Sequence, residues 1–358
     1  MITKPFDSKV EYISAIGQGT MGIGGYFQKD ATKDAFLIEL LKVGIGYGMN
    51  FIDTAPAYGK GHSEELVGKV VKYRRKAVFV ATKVSPENLG YKGLIRSVDK
   101  SLLSLKSDYI DLLQIHWPNP RISLEETLSA MSELVRVGKV TFIGVSNFSL
   151  HKLREAHERF SKQGIASIQI EYNLFDRTVE KDILPYCKIN NIALVAYSPL
   201  NRGKFILGDE RTNLMASLTK KYRRTAAQIA LRWLIRHDNV FVIPKAARLD
   251  HLKENADSAD FELDQKDVDC IDRVFRQESI FIPTDAICVD KNGLEKFVPN
   301  VEDLAEALRN GETLKPIRVV LRRTKSKKFV YDLVEGKLRY WAWVNANNGR
   351  VPIPALVL

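Results

Sequence analysis

Four side chains in this sequence have the types that carbonyl reduction needs. Asp53 and Tyr58 sit in the run FIDTAPAYG (51–59), Lys83 ends VFVATK (78–83), and His116 precedes Trp117. Reducing an aldehyde or ketone takes a hydride, a proton and stabilisation of the developing alkoxide. A phenol with a pKa near 10 is a poor acid–base group at neutral pH. A neighbouring ammonium favours the phenolate and lowers that pKa, and a carboxylate fixes the ammonium. An imidazole can donate a hydrogen bond to the carbonyl oxygen. Tyr58, Lys83, Asp53 and His116 could fill these roles in that order. The bland alternative is a polar plug, which any one of the four alone would favour.

Positioning them requires elements that end at one place. Strand-like apolar runs occur at Ile13–Ile16, Phe51–Asp53, Val78–Lys83, Tyr109–Ile115, Val140–Val145, Ile165–Ile170, Ile192–Tyr197 and Val240–Ile243. Amphipathic segments separate them: Thr32–Tyr47, Leu94–Leu105, Leu124–Val137, Ser149–Phe160 and Thr225–His237. In Leu124–Val137 the apolar residues follow the helical period, and Ser123 with Glu126 reads as a capping box. Phe261–Phe275 reads as a last helix with Asp264 at its N-cap. Alternation of this kind implies a closed parallel (β/α)8 TIM barrel, since each parallel connection needs a crossover. The four residues fall at strand C-termini, where such barrels keep their active sites.

This pattern resembles the aldo-keto reductase family over residues 8 to 276. The resemblance implies Tyr58 as proton donor, Lys83 and Asp53 as its tuning pair, and His116 as the group that orients the carbonyl. It also implies a nicotinamide cofactor, NADP first and NAD second. Ser146, Asn147 and Gln169 match the family's carboxamide contacts and Tyr197 its ring-stacking residue. Gly19, Thr20 and Met21 match the first loop, and Ser198 and Leu200 the loop after the seventh strand. Lys245 and Arg248 follow the eighth strand, where these barrels bind phosphate. Glu254 and Asn255 resemble the adenosine contact at a helix start, although Ser, Asn and similar residues are also ordinary helix caps. At the position where many family members carry an arginine for the 2′-phosphate of NADP, this chain has His251.

Three cysteines (Cys187, Cys270, Cys288) are widely spaced without a CxxC, which reads as reduced thiols in a cytoplasmic protein, with no zinc site. No apolar run approaches the roughly 18 residues of a membrane span, and MITKPFDSKVEY lacks the apolar core of a secretory signal.

The net charge is +11, and nine Lys and Arg against two acidic residues lie between Ile317 and Arg350. The bland reading is a solvated hairpin; the sharper one is a surface for phosphates or nucleic acid. Residues 277–284 read as a linker and 285–358 as a separate small α+β domain. Its expected elements are a strand at Ala286–Val289, a turn at Asn292–Gly293, and a helix at Val301–Leu308 capped by Asn300 and ended by Gly311. A basic hairpin at Ile317–Leu321 and Phe329–Val334, a helix at Leu338–Asn345 and a strand at Val351–Val357 follow. This segment resembles the second half of the ParB/sulfiredoxin-like fold, with Gly336–Lys337–Leu338–Arg339 in place of its GERR-type turn. The resemblance is partial: Lys337 replaces the glutamate and Leu338 the first arginine. Joined to the charge run, it suggests nucleotide or DNA contacts through Arg318, Arg322, Arg323, Gly336, Lys337 and Arg339, with a degenerate domain kept for interaction as the alternative. Two functions stay open: a carbonyl reductase acting on small aldehydes or ketones, and a regulatory DNA-binding protein whose barrel senses the cofactor's redox state.

Overall fold

A computed structural model describes residues 1–6, 12–160, 164–203, 210–276, 278–290, 300–322 and 329–357. The chain divides into two compact units, one formed by Met1–Trp117 and Leu124–Arg276, the other by Gln277–Leu358 together with Pro118–Ser123.

The first unit opens with an antiparallel hairpin, β1 (Thr3–Pro5) with β2 (Tyr12–Ser14). Eight parallel strands follow: β3 (Gln18–Gly19), β4 (Phe51–Asp53), β5 (Phe79–Val84), β6 (Ile110–Ile115), β7 (Val140–Ser146), β8 (Ser167–Glu171), β9 (Ala193–Tyr197) and β10 (Val240–Val242). The sheet closes on itself. Gly17 N–H donates to the Val242 carbonyl at 2.8 Å and Gly19 N–H to the Pro244 carbonyl at 3.2 Å. A Cβ on Gly19 would lie 2.5 Å from the Ile243 carbonyl oxygen, so only glycine permits this seam. The helices are α1 (Asp34–Gly46), α2 (His62–Val71), α3 (Tyr91–Leu105), α4 (Leu124–Arg136), α5 (Leu150–Arg159), α6 (Ile183–Ile189), α7 (Glu210–Tyr222), α8 (Ala226–Leu234), α9 (Leu249–Asp257) and α10 (Gln265–Val274).

Side chains inside the barrel change character along each strand, two residues at a step. The lower layer is aromatic: Phe6, Phe51, Phe79 and Phe241 are buried together, with Phe142 against them. Phe6 lies 4.9 Å from Phe79 and 5.5 Å from Phe241, ring centre to ring centre. Above it come Ala81, Leu112, Val195 and Ile243. The top of the same strands carries Asp53, Lys83, Gln114, Gln169 and Tyr197. Each buried Phe contributes roughly 1.5–3 kcal/mol, so the lower layers can hold a polar top that contributes little to stability.

Several expectations need correction. Ile13–Ile16 joins the barrel only at its end: residues 12–14 pair backwards with 3–5, Ile16 bridges Val242 in parallel, and the strand paired with β4 is Gln18–Gly19. The Glu126 carboxylate accepts from Tyr91 N–H at 2.8 Å, at the start of α3. Asp264 does occupy the N-cap of α10 but makes no side-chain cap bond.

The second unit is a five-stranded mixed sheet, in the order β11 (Ile280–Ile282), β15 (Ile353–Val357), β13 (Ile317–Leu321), β14 (Tyr331–Glu335), β12 (Ile287–Cys288), with helices α11 (Val301–Arg309) and α12 (Lys337–Asn347). The expected linker therefore contains a strand: residues 280–282 pair with 353–355. The strand expected at 286–289 is shorter, Ile287–Cys288. Asn300 and Asp303 form a reciprocal capping box for α11, and Asp303 also takes the Arg121 guanidinium at 2.9 Å. Among the described residues no helix is long and apolar enough to cross a membrane.

Candidate active site

Asp53, Lys83, Gln114 and Gln169 share one end of the barrel because each occupies an inward position near the C-terminus of its strand. Strand register sets Asp53 beside Ala81, Lys83 beside Gln114 and Ser146 beside Gln169. The Lys83 side chain is fully buried, and its ammonium donates to Asp53 Oδ2 at 2.6 Å, the Thr54 carbonyl at 2.9 Å and the Tyr58 hydroxyl at 3.4 Å. Asp53 Oδ1 accepts from Gln169 Nε2 at 2.7 Å and Gln114 Nε2 at 3.3 Å. The buried carboxylate thus has one cation and two amides, and the buried ammonium has three acceptors. Both charges are satisfied, as burial demands.

Tyr58 enters from the loop after β4, and its ring meets that of His116 edge to face at 5.9 Å. Burial raises the Tyr58 phenol above its ordinary range, with Lys83 pulling the other way. The lowering expected from the Tyr–Lys pairing alone is therefore outweighed by desolvation. Burial would depress Lys83, but Asp53 and Tyr58 more than offset it and the ammonium is held above its usual range. Burial and the Lys83 charge push His116 down to about 3. At neutral pH the site thus presents a protonated phenol, an ammonium and a neutral imidazole, a set that can donate a proton and a hydrogen bond to one oxygen.

A second network runs along the neighbouring strand ends. Tyr197 Oη donates to Asn147 Oδ1 at 2.9 Å, and Asn147 Nδ2 donates to Ser146 Oγ at 3.0 Å and the His116 carbonyl at 3.1 Å. These three residues and Gln169 are brought together with the Asp53–Lys83 pair. The first loop is only partly open: Thr20 is fully buried with its hydroxyl taking that of Ser63 at 2.8 Å, whereas Met21 is half exposed. After β9, Ser198 adopts a left-handed φ of 46° and its carbonyl accepts from Asn173 Nδ2; Leu200 is partly buried. Lys245 is exposed beyond β10. Arg248 is the N-cap residue of α9 and pairs with Asp250 at 2.6 Å on the surface. Glu254 and Asn255 are not at a helix start; they lie in the second half of α9, with Asn255 buried and the Glu254 carbonyl accepting from Gln228 and Ser258.

Sequence reading missed Gln114, although Leu112, Gln114 and His116 alternate along one face of an apolar strand. A glutamine at a buried alternate position signals a partner inside the barrel.

In the second unit the expected phosphate contacts are engaged within the fold. Arg318 is buried and pairs with Glu335 at 2.8 Å. Arg339 donates to the carbonyls of Lys315 and Pro316 at 3.0 and 2.7 Å. Lys337 pairs with Asp290, and Arg322 lies 3.7 Å from Asp332. Gly336 has a φ of 100°, and a Cβ there would stand 2.9 Å from Ile317, so this glycine has a packing reason of its own. Arg323 and the Asn292–Gly293 turn lie outside the described residues.

Comparison with known proteins covers the barrel. The aldo/keto reductase family model matches residues 15–276. Methylglyoxal reductase YeaE of Escherichia coli (strain K12) is 33% identical over 264 residues, 74% of this chain and 91% of that protein. Glyoxal reductase of Bacillus subtilis (strain 168) is 36% identical, over 68% of this chain and 84% of its own. The thermostable aldo-keto reductase Tm1743 superposes with a TM-score of 0.74 at 43% identity, over 76% of this chain and all of that one. An aldo/keto reductase from Klebsiella pneumoniae, crystallised with NADP and acetate, gives 0.69 at 32% identity over 77% of this chain and 96% of its own. With that match joined to the tetrad at the barrel mouth, the chain belongs to the aldo/keto reductase family.

Proposed function

We propose that the barrel is an NADPH-dependent reductase of small aldehydes and ketones, with Tyr58 as proton donor. The observation that carries this reading is the buried Lys83 ammonium, held between Asp53 at 2.6 Å and Tyr58 at 3.4 Å. Names borne by the relatives, methylglyoxal reductase and glyoxal reductase, point to short dicarbonyls as first substrates to try. The Klebsiella relative's NADP favours that cofactor. Residues on this chain fit it: Ser146, Asn147, Gln169 and Tyr197 form one polar surface at the strand ends, and exposed Lys245 and Arg248 follow the eighth strand. When bound, NADPH supplies the hydride.

The chain's own groups do the rest. Neutral His116 donates an N–H to the substrate oxygen and orients the carbonyl. Tyr58 Oη gives its proton to that oxygen as it becomes an alkoxide. Lys83 stabilises the phenolate left behind, and Asp53, anchored by Gln114 and Gln169, keeps Lys83 in place. Cofactor oxidation followed with methylglyoxal and with a simple aldehyde tests the activity; no turnover with either overturns it.

For residues 277–358 we propose a separately folded module, with 285–358 as its main body. The pairing of Arg318, Arg322, Lys337 and Arg339 inside the fold favours an interaction domain over a ParB-like phosphate binder. A mobility shift at low salt with duplex and single-stranded DNA is expected to show no retardation. Retardation that weakens steeply with salt would restore the nucleic-acid reading, and with it a DNA-bound redox sensor.

A further inference from the structure

The turn that carries Tyr58 runs through the left-handed region, which its two glycines accept and its lysine does not. Gly59, Lys60 and Gly61 are consecutive left-handed residues, with φ of 57°, 55° and 90°. For Lys60 this conformation costs about 1–2 kcal/mol, and such backbone persists only where its surroundings over-determine it. Upstream, Gly59 N–H donates to the Tyr26 carbonyl at 2.8 Å. A Cβ on Gly59 would stand 2.3 Å from the Gly24 carbonyl oxygen, so the turn lies directly against the loop of residues 22–30.

Downstream the turn ends at His62, the first residue of α2, which is only 3% exposed. Both ring nitrogens face carboxylates: Nδ1 is 2.6 Å from Glu65 Oε2, and Nε2 is 2.8 Å from Asp34 Oδ1. Asp34 opens α1, and Glu65 also takes the Lys29 ammonium at 3.1 Å. Beneath the ring, a Cβ on Gly24 would lie 3.0 Å from His62 Cδ2. One buried imidazole thus joins α1, α2, the 22–30 loop and the far end of the Tyr58 turn.

We propose that His62 is a positioning residue for the reduction: gripped by Asp34 and Glu65, it locks the left-handed turn 59–61 so that the Tyr58 hydroxyl stays at Lys83. The inference rests on Tyr58 being the proton donor. His62 touches none of the reacting groups; it acts through the turn.

The test separates kcat from binding and stability in the full chain. His62→Leu keeps the bulk and removes both polar contacts. Its kcat for aldehyde reduction is expected to fall about 10–100-fold, because misplacing a reacting group by an ångström can cost 10²-fold. The NADPH Kd should stay within about twofold, since the cofactor-facing network is untouched. His62→Gln, which keeps one donor and one acceptor, should recover part of the rate. Asp34→Asn and Glu65→Gln should each lower kcat in the wild-type background and have little further effect on His62→Leu, the non-additivity expected of groups acting through one ring. A wild-type kcat in His62→Leu, or carboxylate effects that simply add to it, overturns the proposal even if Tm falls. Should His62→Leu fail to fold, Asp34→Asn decides the matter: an unchanged kcat overturns it and a lowered kcat with intact Kd supports it. Tyr58→Phe is run alongside. Full activity in that variant defeats the underlying reading, whereas an inactive Tyr58→Phe with fully active His62 variants defeats only the inference about His62.

Discussion

Replacing Lys83 by methionine separates its electrostatic role from its packing role. Methionine fills much the same volume but leaves Asp53 without a counter-ion and Tyr58 without the charge now 3.4 Å from its hydroxyl. At that distance and an effective dielectric of about 20, a full phenolate is stabilised by about 5 kcal/mol. A transition state with the proton half transferred would lose about half of that, or close to 2.5 kcal/mol, which lowers kcat by about 50–100-fold. The fold should lose less than the usual 3–5 kcal/mol for breaking a buried pair, because Asp53 keeps its bonds from Gln169 and Gln114. The assay is steady-state reduction of methylglyoxal with saturating NADPH, beside thermal unfolding of both proteins. A Lys83→Met enzyme within about threefold of wild-type kcat would refute the claim that this charge sets the acidity of Tyr58.

Three further outcomes follow from the same geometry. With His116 neutral down to about 3 and the Tyr58 phenol held above its ordinary value, kcat/KM for reduction should be flat from roughly pH 5 to 9. It should fall only as pH rises through the Tyr58 value, because the donor is then lost, and an inflection near pH 6.5 would contradict a depressed histidine. Lys245 and Arg248 should make NADPH bind more tightly than NADH, by a margin that narrows with added salt; fluorescence titrations at two ionic strengths check this, and equal affinities would mean that His251 marks a loss of 2′-phosphate recognition. In the second unit, Asn300→Ala removes the cap of α11 and should cost about 1 kcal/mol, seen as faster amide exchange across residues 301–309 with barrel exchange unchanged.

The barrel and its tetrad were legible because two periodicities coincide there. Apolar runs ending in Asp53, Lys83 and His116 carry both the strand signal and the chemistry, and one-in-two alternation puts those residues inside. The first barrel strand was legible only where Ile16 bridges Val242, since Gln18–Gly19 has no apolar run. Gln18 is buried by giving its amide to the Leu41 and Met49 carbonyls, and Gly19 is there for close approach. The front of the Ile13–Ile16 run misled because the end of the barrel needs covering too, and Ile13 packs there with Phe6. Residues 254–255 were put at a helix start by resemblance alone, whereas α9 begins at Leu249 without a side-chain cap at Arg248. In the second unit a count of charge could not show which cations the fold consumes. Arg318 alternates along β13 into a buried pair, and Arg339 reaches back to the chain just before that strand. Gln114 signalled itself only as a polar residue at a buried alternate position, and the role of His62 was hidden because Asp34 reaches it from another helix.

The central claim, that Tyr58 gives the proton, is tested most directly by Tyr58→Phe. The phenyl ring keeps the packing against His116 and removes only the hydroxyl at Lys83. Single-turnover reduction of methylglyoxal, with NADPH affinity measured on the same sample, should show loss of turnover by about 10³-fold or more with the cofactor Kd nearly unchanged. Turnover at the wild-type rate in Tyr58→Phe would contradict the account.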